Sequence, residues 1–463
     1  MPLTTDPRRR AAILSAPSSG WPLRLRHLLY GAVLLTAASC GGETTATEKA
    51  AATEEATAPA AAPAAKSTAP AAATPLNVSM FLELSGGMKG FMPVNTPATR
   101  PTEFQERVSQ LASRTRSSPA VNDAQFLLAL KETPTATDYN HFRSVVQGDT
   151  HEAALGTELP SMLENILAQP NAAGRVNVIV SDFVYGPENK AMSGQMPVLI
   201  TDALATSVSK KQLAVAVLGE TSAFRGSFHP AVKKKGREKV TLTNGKLPYY
   251  IWVVGPAAAV GRYVNEVMPA PGPQTQQAYF GLRFPKVPYA AVLTQVPPGS
   301  PLGPRQGGSV SFSQGSVSTS LDMADVKDTV NFAVALDLRQ LPAAWRDPKF
   351  LSQNLQVALP GGEVRLVKNS VQALSGVAAL PNYSHVLRLR LTALPKAGGR
   401  LSISLPAPGV PAWVAQWSTD DDNQPGPTPR TYRLTEIMTG LRDAFPPQLP
   451  PVFTAAFTLS NDD

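Results

Sequence analysis

Between residues 76 and 268, short apolar runs of strand length alternate with segments whose apolar residues recur every three or four positions. That alternation leaves few folds open. Val78-Ser79-Met80-Phe81-Leu82 is an apolar run ending at Gly86-Gly87, and residues 103–116 place Phe104, Val108 and Leu111 on one helical face. Residues 124–130 form a second strand. Leu159, Leu163, Ile166 and Leu167 then mark a helix, with Pro160 suited to its first turn. Val176-Asn177-Val178-Ile179-Val180 is a β-branched run of the kind buried on both faces of a parallel sheet. A helix through Ile200, Leu204 and Val208 follows, then a strand at 213–218, a strand at 249–254 and a helix at 257–267. The pattern predicts an α/β fold, a doubly wound and mainly parallel sheet, over residues 76–270. In such a sheet ligands gather at the carboxyl ends of the strands.

After residue 270 the rhythm changes. Pro- and Gly-rich connections such as Pro297-Pro298-Gly299-Ser300-Pro301 separate short strands at 310–312, 330–338, 355–359, 386–391, 401–405 and 452–459. Leu387-Arg388-Leu389-Arg390-Leu391 alternates strictly, which requires one packed face and one wet face. Residues 271–463 therefore read as an all-β, sandwich-like domain, interrupted by one helix at 434–445. Trp417-Ser418-Thr419-Asp420-Asp421-Asp422-Asn423 reads as a solvated acidic loop, because neighbouring aspartates do not converge on a cation without a special turn.

The first 75 residues cannot belong to either core. Arg8, Arg9, Arg10, Arg24 and Arg26 lead into the apolar run 28–35 and then into Thr36-Ala37-Ala38-Ser39-Cys40. A basic, then apolar, then small-residue order is a secretory signal, too short for a stable membrane span. Its end resembles the lipobox of bacterial lipoproteins, although Ala37 stands where that pattern usually carries leucine. The resemblance implies a signal peptide at 1–39 and acylation of Cys40, the only cysteine of the chain. Residues 40–75 are almost wholly Ala, Thr, Pro, Glu and Lys. They bury too little apolar surface to offset their ordering entropy and are expected to be a disordered tether. The same resemblance implies a membrane as the partner of this end, reached through the lipid, and an expected place in the cell envelope, at the outer membrane or cell surface.

The loops at the strand ends carry a second resemblance. Glu83-Leu84-Ser85-Gly86-Gly87-Met88-Lys89-Gly90-Phe91 follows the first strand, Gly156-Thr157-Glu158-Leu159 leads into a helix, and Ser181-Asp182-Phe183 follows the buried strand. Together these resemble the three loops of von Willebrand factor type A domains, which form a metal-ion-dependent adhesion site. The resemblance implies a hard cation on hydroxyl and carboxylate oxygens, with one position left for a partner's acidic group. Ser85, Thr157 and Asp182 fit that pattern. Glu83 replaces its aspartate with a side chain one methylene longer, and Gly87 supplies no hydroxyl. The site is thus expected to be degenerate, taking Mg²⁺ or Ca²⁺ weakly if at all, and no other cofactor is implied. A plainer account of the same residues is turn chemistry: Ser85 bonding the next helix end, the glycines permitting a tight turn, Asp182 capping its loop. Glu220-Thr221-Ser222-Ala223-Phe224-Arg225-Gly226 and residues 247–255 also resemble little-characterised bacterial surface lipoproteins of this fold.

Charge and motifs exclude other classes. The formal net charge is +8. Residues 1–39 hold five Arg and one Asp, so their removal takes 42 basic and 34 acidic residues to 37 and 33, a net of +4. Only Lys233-Lys234-Lys235 with Arg237 and Lys239 forms a run. A run of that size reads as a solvated loop, and no nucleic-acid partner is expected. There is no nucleophile elbow, zinc-protease helix, Walker loop or dinucleotide fingerprint. His141, His151, His229 and His385 are scattered singly. An enzyme is therefore not expected. The sequence favours a tethered module binding another envelope or extracellular protein, with a hydrolase using Glu83 and Asp182 as the alternative.

Overall fold

A computed structural model describes residues 74–460, except 98, 132, 155, 186–193, 286, 294–319, 323–328, 375–381 and 425–429. The signal peptide, Cys40, nearly all of the tether and the strand expected at 310–312 lie outside the described residues. The first strands and helices are β1 (Leu76–Glu83), α1 (Glu103–Ser117), β2 (Val121–Leu130), β3 (Thr133–Thr137), α2 (Tyr139–Val146) and α3 (Leu159–Ala168). They are followed by β4 (Val176–Ser181), α4 (Met196–Lys211), β5 (Leu213–Phe228), β6 (Val240–Pro256), α5 (Ala257–Arg262) and β7 (Gln276–Phe280). A π-helical turn, Tyr263–Val267, continues α5.

These strands form one seven-stranded sheet in the order β3-β2-β1-β4-β6-β5-β7. Its centre, β2-β1-β4, is parallel, with Met80 of β1 opposite Phe126 of β2 and Val178 of β4. β3 pairs antiparallel with β2, and β6 inserts antiparallel between β4 and β5. Four strands, β1, β2, β4 and β5, run in the same direction. The sheet is mixed because β5 and β6 are joined by a hairpin, and a hairpin can only be antiparallel.

Which of two cores a residue enters follows the two-residue period of each strand. Val78, Met80 and Leu82 face the same core as Phe104, Val108 and Leu111 of α1 and Phe142 and Val145 of α2. Phe81, Ile179, Val215 and Trp252 face Leu163 and Ile166 of α3 and Ile200 and Leu204 of α4. Helices thus cover both faces. α1 is fixed at its start by a reciprocal cap, in which Gln105 N–H donates to Thr102 Oγ1 (3.2 Å) and Thr102 N–H to Gln105 Oε1 (3.0 Å).

The rest of the chain contains β8 (Tyr289–Leu293), β9 (Ser320–Asp322), β10 (Val330–Leu336), α6 (Pro348–Asn354), β11 (Gln356–Ala358), β12 (Glu363–Leu366), β13 (Gln372–Ala373), β14 (His385–Ala393) and β15 (Gly399–Leu405). It ends with α7 (Trp413–Trp417), β16 (Ser418–Thr419), β17 (Thr431–Tyr432), α8 (Leu434–Asp443) and β18 (Phe453–Ser460). One sheet runs β12-β14-β10-β8, with β13 also on β14, and is antiparallel. The other runs β11-β15-β18-β9 and is antiparallel apart from its β18–β9 pair. Leu387, Leu389 and Leu391 are buried while Arg390 is exposed, as the strict alternation requires. Their apolar face shares a core with Leu401, Ile403, Phe453 and Phe457 of the opposing sheet.

α8 does not pack within these two sheets. Leu434, Ile437, Met438 and Leu441 join the core on the α3–α4 side of the seven-stranded sheet. Thr201 Oγ1 of α4 donates to Gly440 O at 3.0 Å. A Cβ at position 440 would stand 2.4 Å from Pro197 O, so only glycine permits this approach. β7, beyond residue 270, likewise belongs to the seven-stranded sheet. No described helix is long and apolar enough to cross a membrane.

Candidate functional site

β1 and β4 run parallel, with Leu82 opposite Val180, so Glu83 and Ser181 emerge at the same rim of the sheet. The β1 loop then turns sharply: Met88 N–H donates to Ser85 O at 3.2 Å. A bridge between Ser85 and Ala154, with Ala154 N–H on Leu84 O at 3.0 Å, ties this loop to the segment that delivers Thr157 at the start of α3. After β4, Phe183 takes a left-handed backbone (φ 52°) and lies buried, stacked on Trp252 with ring centroids 4.6 Å apart. A bulky residue rarely adopts that conformation unless its surroundings enforce it, and here it fixes where Asp182 points.

The sequence-predicted residues Glu83, Ser85, Thr157 and Asp182 are brought together. With Gly87, Gly156, Ser181 and four residues of the β5–β6 loop, His229, Pro230, Ala231 and Lys233, they line one cavity of about 150 Å³. Glu83 is 2% exposed and Asp182 7%. Thr157 Oγ1 donates to Glu83 Oε1 at 2.7 Å, whereas Glu83 Oε2 is buried with no hydrogen-bond donor among the described residues. Asp182 Oδ1 accepts Val184 N–H at 3.0 Å, and Ser181 Oγ accepts Phe183 N–H at 2.9 Å. Turn chemistry therefore accounts for one oxygen of Asp182 and leaves Oδ2 beside Gly87. A Cβ at position 87 would lie 3.2 Å from that oxygen and 3.5 Å from Ser85 Oγ. Gly87 has an ordinary right-handed backbone (φ −64°), so the turn itself does not require glycine there.

No ion pair neutralises either carboxyl group among the described residues. Burial raises the pKa of Glu83 above the usual carboxylate range. Burial, and then the charge of Glu83, push Asp182 up to about 8, with Asp422 adding a smaller push in the same direction. His229 moves the other way, lowered by burial and by Lys233 and Lys239. Glu83, Asp182, Ser85 and Thr157 offer oxygens suited to a hard cation. Without a hydroxyl at position 87, water would have to complete six-fold coordination. Among the described residues no group of three or more His, Cys, Asp or Glu side chains could hold a metal ion.

Three contributors were not legible as site residues. Ser181 stands next to Asp182 and was the nearest to being found. The 229–239 loop joins the site only through the β5–β6 hairpin. Asp422 comes from a stretch read as a solvated acidic loop, and that reading holds for Asp420 and Asp421, whose side chains are 88% and 43% exposed, but not for Asp422. Asp422 is 5% exposed and Asn423 fully buried, because both are spent on the backbone of the 229–239 loop.

No protein-family model, curated protein or solved structure matches this chain.

Proposed function

We propose that the chain is a lipid-tethered module of the cell envelope, anchored through Cys40, whose α/β part binds another envelope or extracellular protein at this rim. The finer assignment, a von Willebrand factor A-like domain with a degenerate metal site, belongs to the same proposal. The observation that carries it is the convergence of Glu83, Ser85, Thr157 and Asp182, from three separate chain segments, on one small polar cavity. Size decides what that cavity can take. Small-molecule sites occupy roughly 300–1,000 Å³, and about 150 Å³ suits an ion or the tip of a side chain instead.

One observation favours carboxylate-dependent hydrolysis as a second reading. Asp182 is held protonated near neutrality beside a second buried carboxyl group, and paired carboxyl groups can divide acid and base roles. Capture from envelope extract separates the two. The full chain should retain a partner that Ser85→Ala and Asp182→Asn variants lose. Equal capture by all three forms sinks the binding reading. For the anchor, Cys40→Ser should abolish palmitate labelling and release the chain from the membrane fraction.

A further inference from the structure

The β5–β6 loop is fixed from almost two hundred positions away in the chain. Asp422 Oδ2 accepts Ala231 N–H at 2.7 Å, and Asp422 Oδ1 accepts Val232 N–H at 3.0 Å. Asn423 Nδ2 donates to Val232 O at 2.7 Å and to Arg237 O at 2.8 Å. The Lys234 ammonium pairs with Asp421. Within the loop, Arg237 N–H closes on Lys234 O at 2.8 Å, and Gly236 supplies the left-handed turn (φ +73°). What this clamp holds out to solvent is basic: Lys233, Lys235, Arg237 and Lys239 are exposed, with Glu238 the one acid among them.

A solvated loop of like charges needs no buried clamp. Ordering it costs backbone entropy and gathers cations that repel one another. Both costs are offset when an anionic partner arrives, because a preformed surface loses little further freedom on binding. We propose that residues 229–239 form a preformed basic arm that docks an acidic polypeptide segment beside the carboxyl-lined cavity, with Asp422 and Asn423 as its latch. This rests on the reading of the chain as a binding module and names the chemistry of its partner. The Ala231 and Val232 amides are committed to Asp422, that of Gly236 to Glu238 and that of Arg237 to Lys234 O, so what the loop presents is chiefly side-chain cations. It carries no Phe, Tyr or Trp on which a base could stack.

The test uses the full chain in non-ionic detergent with a chelator present, and labelled poly-L-glutamate as probe. Binding should be salt-sensitive and should fall about tenfold or more in the charge-reversed variant K235E/R237E/K239E. The latch variants set the proposal against simple electrostatics. Asp422→Ala removes a negative charge beside the loop, so charge alone would strengthen binding, whereas loss of the latch should weaken it about threefold or more. Asn423→Ala changes no charge and should weaken it similarly, with the melting transition retained. Hydrogen exchange on the wild type gives an independent reading, with the Ala231 and Val232 amides expected to be slow. Tighter binding by Asp422→Ala, unchanged binding by Asn423→Ala, or fast exchange at those amides overturns the latch. Preference for phosphatidylglycerol-doped micelles over poly-L-glutamate, or no binding to poly-L-glutamate, overturns the assigned partner. Because neither metal nor envelope extract is present, this result is independent of whether the cavity itself binds a protein.

Discussion

The partly buried carboxyl group of Glu220 and the buried pair Glu83 and Asp182 differ in how the protein treats them. Glu220, on β5, is answered from three directions. Arg107 Nε lies 3.1 Å from its Oε1, Tyr249 OH donates to its Oε2 at 2.7 Å, and Thr275 Oγ1 reaches its Oε1 at 3.2 Å. Glu83 and Asp182 have hydroxyl and amide partners but no cation among the described residues, where Glu83 Oε2 lacks a hydrogen-bond partner. The same fold therefore sets a cation beside the largely buried carboxylate of Glu220. Where two carboxyl groups face a cavity with no cation beside them among the described residues, burial instead favours their neutral, protonated forms.

Breaking the neutralised set should have the largest effect. Arg107→Met strands Glu220 without its cation, and urea denaturation should register a loss of about 3–5 kcal/mol. A loss below about 1 kcal/mol would mean that the Glu220 cluster is no better satisfied than the cavity, and the contrast would fail.

The opposite sign is expected at Asp182. Its folded pKa, about 8, lies above its unfolded value, so its favourable contribution is complete in acid and is lost as pH rises toward 8. Wild-type stability should therefore decline between about pH 4 and pH 8. Asp182→Asn should flatten that decline and raise stability at pH 8 by about 1–2 kcal/mol. Thermal melts of both proteins across this range decide the matter, and a variant less stable than wild type at pH 8 would show that the charge is already compensated.

A smaller effect concerns the cation. Wild-type protein should bind Mg²⁺ weakly or undetectably by calorimetry. Glu83→Asp with Gly87→Ser supplies a shorter carboxylate and a hydroxyl beside Asp182 Oδ2, and should improve affinity about tenfold. Tight binding by the wild type would contradict the degenerate site. The smallest change is expected for Thr157→Val, which removes the 2.7 Å bond to Glu83 and should cost about 1 kcal/mol.

The sequence showed the doubly covered parts of the fold and concealed the half-covered ones. β4 and the first seven residues of β5 are buried throughout, and their uninterrupted apolar runs announce them. Beyond Gly219, β5 alternates between buried and partly exposed residues, so its polar half, and the matching start of β6, carried no apolar run to read. β3, Thr-Pro-Thr-Ala-Thr, is an exposed edge strand and left no apolar signal. Glu83, Ser85, Thr157 and Asp182 were legible because Glu83 ends β1 and the other three sit in loops directly after a strand or before a helix. Asp422 and the 229–239 loop were not, since their meeting spans about 190 positions and no local pattern encodes it. The place of α8 was hidden for a related reason: its apolar stripe predicts a buried face but not which neighbour buries it.

That neighbour has a bearing on the order of events in the life of the chain. α8 completes the layer over the α3–α4 side of the sheet, with Gly440 against Pro197. Synthesis proceeds from the N-terminus at about 5–20 residues per second, so roughly 10–45 seconds separate the completion of α4 from the appearance of α8. Throughout that interval Ile200 and Leu204 await part of their cover. A nascent chain in this condition exposes apolar surface that only its last helix will cover.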